Sequence, residues 1–547
     1  MSSTLRTDLT PLVDLLAEPG TGPYRTRRPV YRDSLPPCNH ACPAGERVQT
    51  WLAHATAGRY REAWEALVRE NPFPAVHGRV CYHPCESACN RQELDGAVSI
   101  HAVERFLGDL AIDEGWPIPP PMRRQTGFGR RVLIVGAGPA GLAAAYHLAR
   151  LGHSVEIRDA EPFAGGMMRF GIPAYRLPRA VLAVEVRRIE ALGVRMVLDH
   201  RVEDLLAEKE AGQFDAAFVA IGARASQRIE IPARDATRVL DALPLLRGVS
   251  LGERPQLGRR VAIYGGGNTA MDTARTVMRL GSTEPLIIYR RDRAHMPAHA
   301  FEAAEAEEEG IRFRWLSSIR DIAGGAITVE RMRLDDEGHA QPTGRFEKID
   351  ADAVVLAIGQ QSESAFLGNV AGIELAPGGT VRTGANLMTG RAGIFAGGDL
   401  VPGGRTVTAA VGHGKRAALY IDSWLRGTEY VAPPEGRIVS RAMLHLPLFS
   451  DVLRSQESKR SVEARTRDFS EVVAGLAEAQ ARHEAARCFS CGNCFECDAC
   501  YASCSERAIE KLGPGRRYEI HYERCTGCAV CFENCSCHAI EMMPEPR

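Results

Sequence analysis

From residue 90 to residue 487 the chain has no cysteine, which excludes any chemistry that needs a redox-active cysteine pair across its long middle. An excess of either charge is also missing. Its 67 Lys and Arg stand against 68 Asp and Glu, for a formal net charge of −1, so neither nucleic acid nor an anionic membrane surface is an expected partner. No apolar run reaches the ~18–20 residues of a membrane span. The opening MSSTLRTDLTPLVDLL lacks the basic stretch and apolar run of a secretory leader. Clustered cysteines without a leader point to a reducing compartment and to metal ligation instead of disulfides. The expectation is a soluble, cytoplasmic protein, and 547 residues suggest three or four domains, each with its own core.

The 16 cysteines fall in two groups, five between Cys38 and Cys89 and eleven between Cys488 and Cys537. In the second group, Cys494-x2-Cys497-x2-Cys500-x3-Cys504 is followed by Cys525-x2-Cys528-x2-Cys531-x3-Cys535. A [4Fe–4S] cube needs four thiolates around one small sphere, and the fourth thiolate of each such run crosses to the other cluster. The spacing therefore predicts one cluster on Cys494, Cys497, Cys500 and Cys535, and another on Cys525, Cys528, Cys531 and Cys504. Zinc ribbons would need two Cys-x2-Cys pairs per metal, so unbroken triplets fit iron–sulfur better. Cys488-x2-Cys491 and Cys537 stand outside this scheme. The pair offers either an alternative register (Cys488, Cys491, Cys494) or a structural role.

The same distribution divides the chain. Residues 1–122 are expected to form a helical N-terminal iron–sulfur domain, closed by the stiff linker WPIPPPM (Trp116–Met122). Residues 123–430 are rich in glycine, alanine and valine in a βαβ rhythm. They are assigned as a first nucleotide domain in two parts, 123–243 and 351–435, around a second at 244–350. A helical connector (436–487) and a small ferredoxin-like α+β domain (488–547) complete a multidomain α/β chain.

Two glycine-rich turns support the nested arrangement. The strand Val132–Val135 runs into Gly136-x-Gly138-x-x-Gly141, with Pro139 and Ala140 between, and a helical pattern follows. Gly136 allows the tight turn, Gly138 lets a pyrophosphate approach, and Gly141 lets helix and strand pack. Asp159 ends the next strand, placed for an adenosine ribose hydroxyl. In the second copy Gly265, Gly267 and Ala270 take the three small positions, with Asn268 and Thr269 inside the turn. Its second strand, Leu286–Tyr289, ends in Arg290 and Arg291, and guanidinium groups suit a 2′-phosphate. NADPH is thus favoured over NADH.

Paired folds of this kind resemble the flavin-dependent pyridine-nucleotide reductases. GIFAGGDLVPGGRTVTAAVGHGKRAALYI (Gly393–Ile421) resembles their closing flavin motif, which implies that Gly398 and Asp399 meet FAD and that a helix beginning near Thr408 points at the flavin. His413 lies beside that helix. Ala217–Ala223 and Ala353–Gln360 look like crossover strands with a packing role. More narrowly, Pro37–Leu52, Gly78–Arg91 and Gly165–Pro178 resemble the small subunit of bacterial glutamate synthase and its relatives over roughly residues 35–430. The resemblance implies Gly166, Met167 and Arg176 at the cofactor. It also implies one N-terminal [4Fe–4S] cluster on Cys42, Cys81 and Cys85, with Glu104 as fourth ligand. That family carries a Cys-x2-Cys pair before the position of Cys38, where this chain has Ser34–Pro37. Cys38 and Cys89 then match an incomplete second cluster, and either could instead complete the first.

What the resemblance implies is a subunit that exchanges hydride between NAD(P)H and FAD and single electrons between FAD and iron–sulfur clusters, with no protein side chain acting as acid or base. Its expected partner is a glutamate synthase large subunit, a 2-oxoacid:acceptor oxidoreductase with electrons running the other way, or a ferredoxin. A disulfide reductase shares the paired folds but needs the cysteine pair that the middle of this chain lacks.

Overall fold

Two parallel five-stranded sheets carry the middle of the chain. In this computed structural model residues 25–120, 129–226, 231–234, 238–446 and 449–546 are described. The stretch read for a leader, and Pro121 and Met122 of the linker, lie outside the described residues. The first sheet has the order Ile394–Ala396, Ala216–Val219, Arg131–Val135, Ser154–Arg158, Arg195–Val197. Its central strand, Arg-Val-Leu-Ile-Val, is buried at every position but the first, as a strand covered on both faces must be. Helices Pro139–Arg150 and Val407–Leu425 lie against each other over it. They approach so closely that a Cβ on Gly414 would sit 2.2 Å from the Ala140 carbonyl oxygen.

The second sheet runs Arg312–Arg314, Glu284–Ile288, Arg260–Tyr264, Ala353–Leu356, Arg238–Asp241. It therefore extends past the expected span 244–350 at both ends. Ala353–Leu356, read as a crossover strand, is an inner strand of this sheet. One link between the two folds is a two-residue antiparallel pairing of Gln360–Gln361 with Ala225–Ser226. Beside the second sheet stands an antiparallel meander, Ser317–Ala323, Ala326–Leu334 and Ala340–Asp350, which the βαβ reading did not anticipate.

The N-terminal segment is helical. Val48–Thr56, Tyr60–Val68 and Ile100–Asp113 bury Trp51, Trp64, Leu67 and Leu107 in one core, while Pro74–Val80 sends Val76 and Val80 into the core under the first sheet. The Trp51 core also takes in Ala481 and Ala485 from helix Glu478–Ala486, and Leu476 just before it. Most of the expected helical connector is otherwise irregular, because its polar sequence offers no apolar stripe to bury. It is held by specific bonds instead. Arg454 donates to Glu86 (2.6 Å), and the buried Glu484 carboxylate accepts from the Ser99 N–H (2.9 Å) and from Arg487 (2.9 Å). At the far end Ile509–Lys511 pairs with Tyr518–Ile520, and Ile540–Pro544 pairs with Arg27–Tyr31 near the start of the described chain. No helix among the described residues is long and apolar enough to cross a membrane.

Candidate functional site

Both glycine turns open into one cavity of about 1930 Å3. Every nucleotide-site residue expected from sequence lines it except Gly141, Ala270 and Thr408. Gly141 and Ala270 act from behind the wall. A Cβ on Gly141 would lie 1.9 Å from the Gly136 carbonyl oxygen, so only glycine lets the helix meet the turn. Ala270 is fully buried. Gly136 itself has φ +110°, and a Cβ there would meet the Ala220 carbonyl oxygen at 2.4 Å.

Gly138 and Gly267 behave differently. Their backbone is extended (φ −77° and −93°), and a Cβ on either would meet nothing within 4 Å. The protein's own packing does not demand glycine at these two positions, and both face the cavity. Each is a cradle that a Cβ would fill, at the N-cap of a helix whose free N–H groups suit a phosphate. The residues present fit a dinucleotide at each turn.

Around the first turn the Asp159 carboxylate accepts from the Ala137 N–H (2.6 Å) and the Glu161 N–H (2.8 Å). Burial raises its pKa, against those two bonds. Glu161, which the sequence reading passed over, sits beside it and takes Arg224 and Arg247, each at 2.9 Å. At the second turn Arg290 is exposed with no hydrogen-bond or ion-pair partner among the described residues, and Arg291 donates to the Tyr289 hydroxyl (2.9 Å). Asn268 is a stitch to the N-terminal segment. Its side-chain nitrogen donates to the Tyr82 hydroxyl (2.7 Å), and its oxygen accepts from the His299 N–H (3.0 Å).

Two expected residues make contacts that the sequence did not show. Arg176 reaches the cavity wall, but its guanidinium grips Asp272 (2.8 and 2.9 Å) and Glu302 (2.5 Å), tying the first fold to the second. The helix near Thr408 begins at Val407, and its N-cap is Thr406, whose hydroxyl accepts from the Ala409 N–H (3.1 Å). Thr406 and Val407 face the cavity, whereas the Thr408 hydroxyl turns away and donates to the Cys81 sulfur at 3.1 Å. His413 accepts from the Gly398 N–H at Nδ1 (3.1 Å) and so fixes the turn that carries Asp399. Burial raises the Asp399 carboxyl's pKa against the nearby Arg405.

All 16 cysteines are free thiols. Cys42, Cys81 and Cys85 lie within electrostatic reach of one another, with Glu46 and Glu104 beside them. Both carboxylates accept from the buried Asn71 side-chain nitrogen, at 2.8 and 3.0 Å. Glu46 was not anticipated, and only its burial marks it. In the tail, Cys494 and Cys500 neighbour Cys535, while Cys525 and Cys531 neighbour Cys528 and Cys504 lies beside Cys525. Burial leads in raising the pKa of every one of these thiols for which a shift is resolved, except Cys535. Thiolates here need a cationic core between them.

The cysteine loops share a device. At Cys81, Cys494 and Cys525 the residue two places on is left-handed (His83 φ 53°, Glu496 φ 62°, Gly527 φ 71°), and its N–H points back at the cysteine sulfur. Non-glycine residues in that region are strained, and such strain gathers at ligand sites. A second pair matches across the tail, the N–H of Ala508 donating to Cys504 (3.3 Å) and that of Ala539 to Cys535 (3.1 Å).

Comparison with known proteins places these features. The profile of the pyridine nucleotide-disulphide oxidoreductase family matches residues 130–414. That of dihydropyrimidine dehydrogenase domain II, 4Fe–4S cluster, matches residues 31–116. The chain is 36% identical over 498 residues to the NADP(+)-dependent formate dehydrogenase subunit beta of Moorella thermoacetica, covering 83% of this chain and 70% of that one. It is 32% identical over 509 residues to the NADPH-Fe(3+) oxidoreductase subunit beta of Geobacter sulfurreducens, covering 83% and 75%. It is also 33% identical over 423 residues to the small chain of NADPH glutamate synthase of Escherichia coli, covering 71% and 89%.

Proposed function

We propose that this chain, which belongs to the pyridine nucleotide-disulphide oxidoreductase family, is the NADP(H)-side electron-transfer subunit of a larger enzyme. When bound, FAD and NADP(H) would exchange hydride, and iron–sulfur clusters would carry the electrons singly to or from a partner. The observation that carries this reading is the wall between the cavity and the first cysteine group. Val80 and Tyr82 line the cavity, and Cys81 between them takes a hydrogen bond from Thr408, next to cavity-lining Val407. One residue's thickness separates a dinucleotide site from a thiol that suits a cluster.

The chain's own residues divide the work. Gly136, Gly138 and Asp159 would receive one dinucleotide, FAD, with Asp399 held ready by His413. Gly265, Gly267, Arg290 and Arg291 would receive the other, NADPH. Cys42, Cys81 and Cys85, with Glu104 as oxygen donor and Glu46 alongside, would hold an N-terminal [4Fe–4S] cluster. The tail would hold two more, as a ferredoxin-like domain, on the two sets its spacing predicts. The domain divisions are proposed as expected from sequence, except that the second fold takes 238–356 and the two parts of the first become 123–237 and 357–435. The partner we propose is a catalytic subunit of the formate dehydrogenase or glutamate synthase kind, met by the tail.

Anaerobic mixing with NADPH and with NADH tests the reading. Flavin bleaching and reduced-cluster EPR signals are expected with NADPH ahead of NADH, and no bleaching with either would sink it. In Arg290→Glu and Arg291→Glu, each charge-assisted bond lost is about 1.5–3 kcal/mol, so kcat/KM for NADPH should fall about 10–100-fold per arginine. The NADH value should barely move.

A further inference from the structure

The Cys488-Phe489-Ser490-Cys491-Gly492 loop has no role in the ferredoxin pattern, yet it is built like the loops that do. Ser490 is left-handed (φ 52°), and its N–H points back at the Cys488 sulfur at 3.4 Å. This repeats the arrangement at Cys81, Cys494 and Cys525. The loop is fastened to the N-terminal segment on two sides. Gln49 donates to the Ser490 hydroxyl (2.9 Å, buried), and the Ser34 N–H donates to the Gly492 carbonyl (2.9 Å). From the other side Asn90 reaches the Cys491 sulfur at 3.5 Å, and Arg91 donates to the Arg487 carbonyl (2.6 Å). Gln49 also bonds, through its N–H, the side chain of Asn39, neighbour of Cys38, while Asn90 follows Cys89. Cys38, Cys89 and Cys488 pack against one core. Cys38 lies within electrostatic reach of Cys488, Cys89 and Cys491.

We propose that Cys38, Cys89, Cys488 and Cys491 hold a fourth [4Fe–4S] cluster, whose missing N-terminal ligand pair is supplied by the chain from some 450 residues downstream. The inference rests on the iron–sulfur reading of the other three groups. Zinc is the competing occupant of four cysteines. Its tetrahedron of 2.3 Å bonds brings sulfurs to about 3.8 Å of each other. Among the described residues the sets of three or more ligand atoms within 4.8 Å are His83, Glu86, His101 and Glu46, His77, Glu104, and neither contains a cysteine. No three of the four sulfurs lie within 4.8 Å of one another, a wider spacing than a single zinc ion imposes.

The site also closes a gap. Cys38 and Cys42 are about 6 Å of helix apart, and two residues separate Cys491 from Cys494. The fourth cluster thus stands between the cavity-side group and the tail and joins them in one row.

Iron and zinc analysis of the full chain, purified without oxygen, tests this. The wild type should carry about 16 iron atoms, at four per cluster, where three clusters give about 12. Cys38→Ser and Cys488→Ser should each lose about four, and the double variant no more than either, because both open the same cluster. Retained flavin absorbance reports that the variants fold. About 12 iron in the wild type with none lost in Cys488→Ser would overturn the fourth cluster and leave the other three. Additive losses in the double variant, or one zinc per chain, would also overturn it. A wild type without iron would overturn the underlying reading as well.

Discussion

Gly141→Val is expected to give a protein that has lost its yellow colour but kept most of its iron. The position is inside the first glycine turn and behind the cavity wall. Even a single Cβ there would come within 1.9 Å of the Gly136 carbonyl oxygen and 3.1 Å of the Ile134 side chain. The oxygen belongs to the turn itself, and Gly136 cannot yield, because at φ +110° it already lies close against the Ala220 carbonyl. Helix Pro139–Arg150 must therefore lift from the sheet. Overpacking of this kind costs about 1–3 kcal/mol and more where backbone is struck. The helix N-terminus that would face the phosphates moves with it. NADPH-driven flavin bleaching should fall below detection. The tail has a separate core around Ile509, Ile520 and Ile540, so the clusters proposed there should survive. Gly138→Ala is the control. Its Cβ meets no protein atom within 4 Å, so the melting temperature should hold while flavin content falls. A Gly141→Val protein with full flavin would show that the turn does not bind the dinucleotide.

How much of this was legible beforehand depended on the range over which each signal acts. The glycine turns and the cysteine runs are local, since a tight turn or a cube corner dictates residues a few places apart, and both were read at their positions. Features set by distant partners were not. Strand Arg27–Tyr31 exists because Ile540–Pro544 lies beside it, and five residues hold no period that says so. Arg176 lines the cavity where it was expected, but its pairing with Asp272 and Glu302 depends on residues far along the chain. Thr408 was placed on the right helix and the wrong face, because the cap fell two residues earlier, at Thr406, and a helix turns about 100° per residue. The connector was expected to be helical from composition, but most of it is irregular, fastened by bonds to distant residues such as those of Arg454 to Glu86 and of Arg487 to the Val452 carbonyl. The pair Cys488 and Cys491 was visible as a surplus, whereas its place beside Cys38 and Cys89 is a fact of tertiary packing.

Cys81→Ser should separate the two halves of the proposed relay. The Cys81 sulfur accepts hydrogen bonds from the Thr408 hydroxyl (3.1 Å) and the His83 N–H (3.4 Å), and its chain neighbours form part of the cavity wall. No other cysteine has neighbours lining that cavity. Serine fits the space and keeps a donor and acceptor, so the fold and the flavin should remain, and NADPH should bleach the flavin at close to the wild-type rate. The hydroxyl is a far poorer iron ligand than a thiolate, so the tail clusters should stay oxidised, and EPR should show no reduced signal on the timescale at which the wild type is fully reduced. Thr408→Val separates ligation from tuning. It leaves the thiolate in place and removes one O–H donor to it. Hydrogen bonds to cluster sulfurs stabilise the more negative, reduced state, so this variant should keep all its iron and shift the cavity-side cluster to a lower potential in a redox titration. Tail reduction at the wild-type rate in Cys81→Ser would mean that electrons leave the cavity by another route, and an unchanged potential in Thr408→Val would mean that the Cys81 sulfur ligates no cluster.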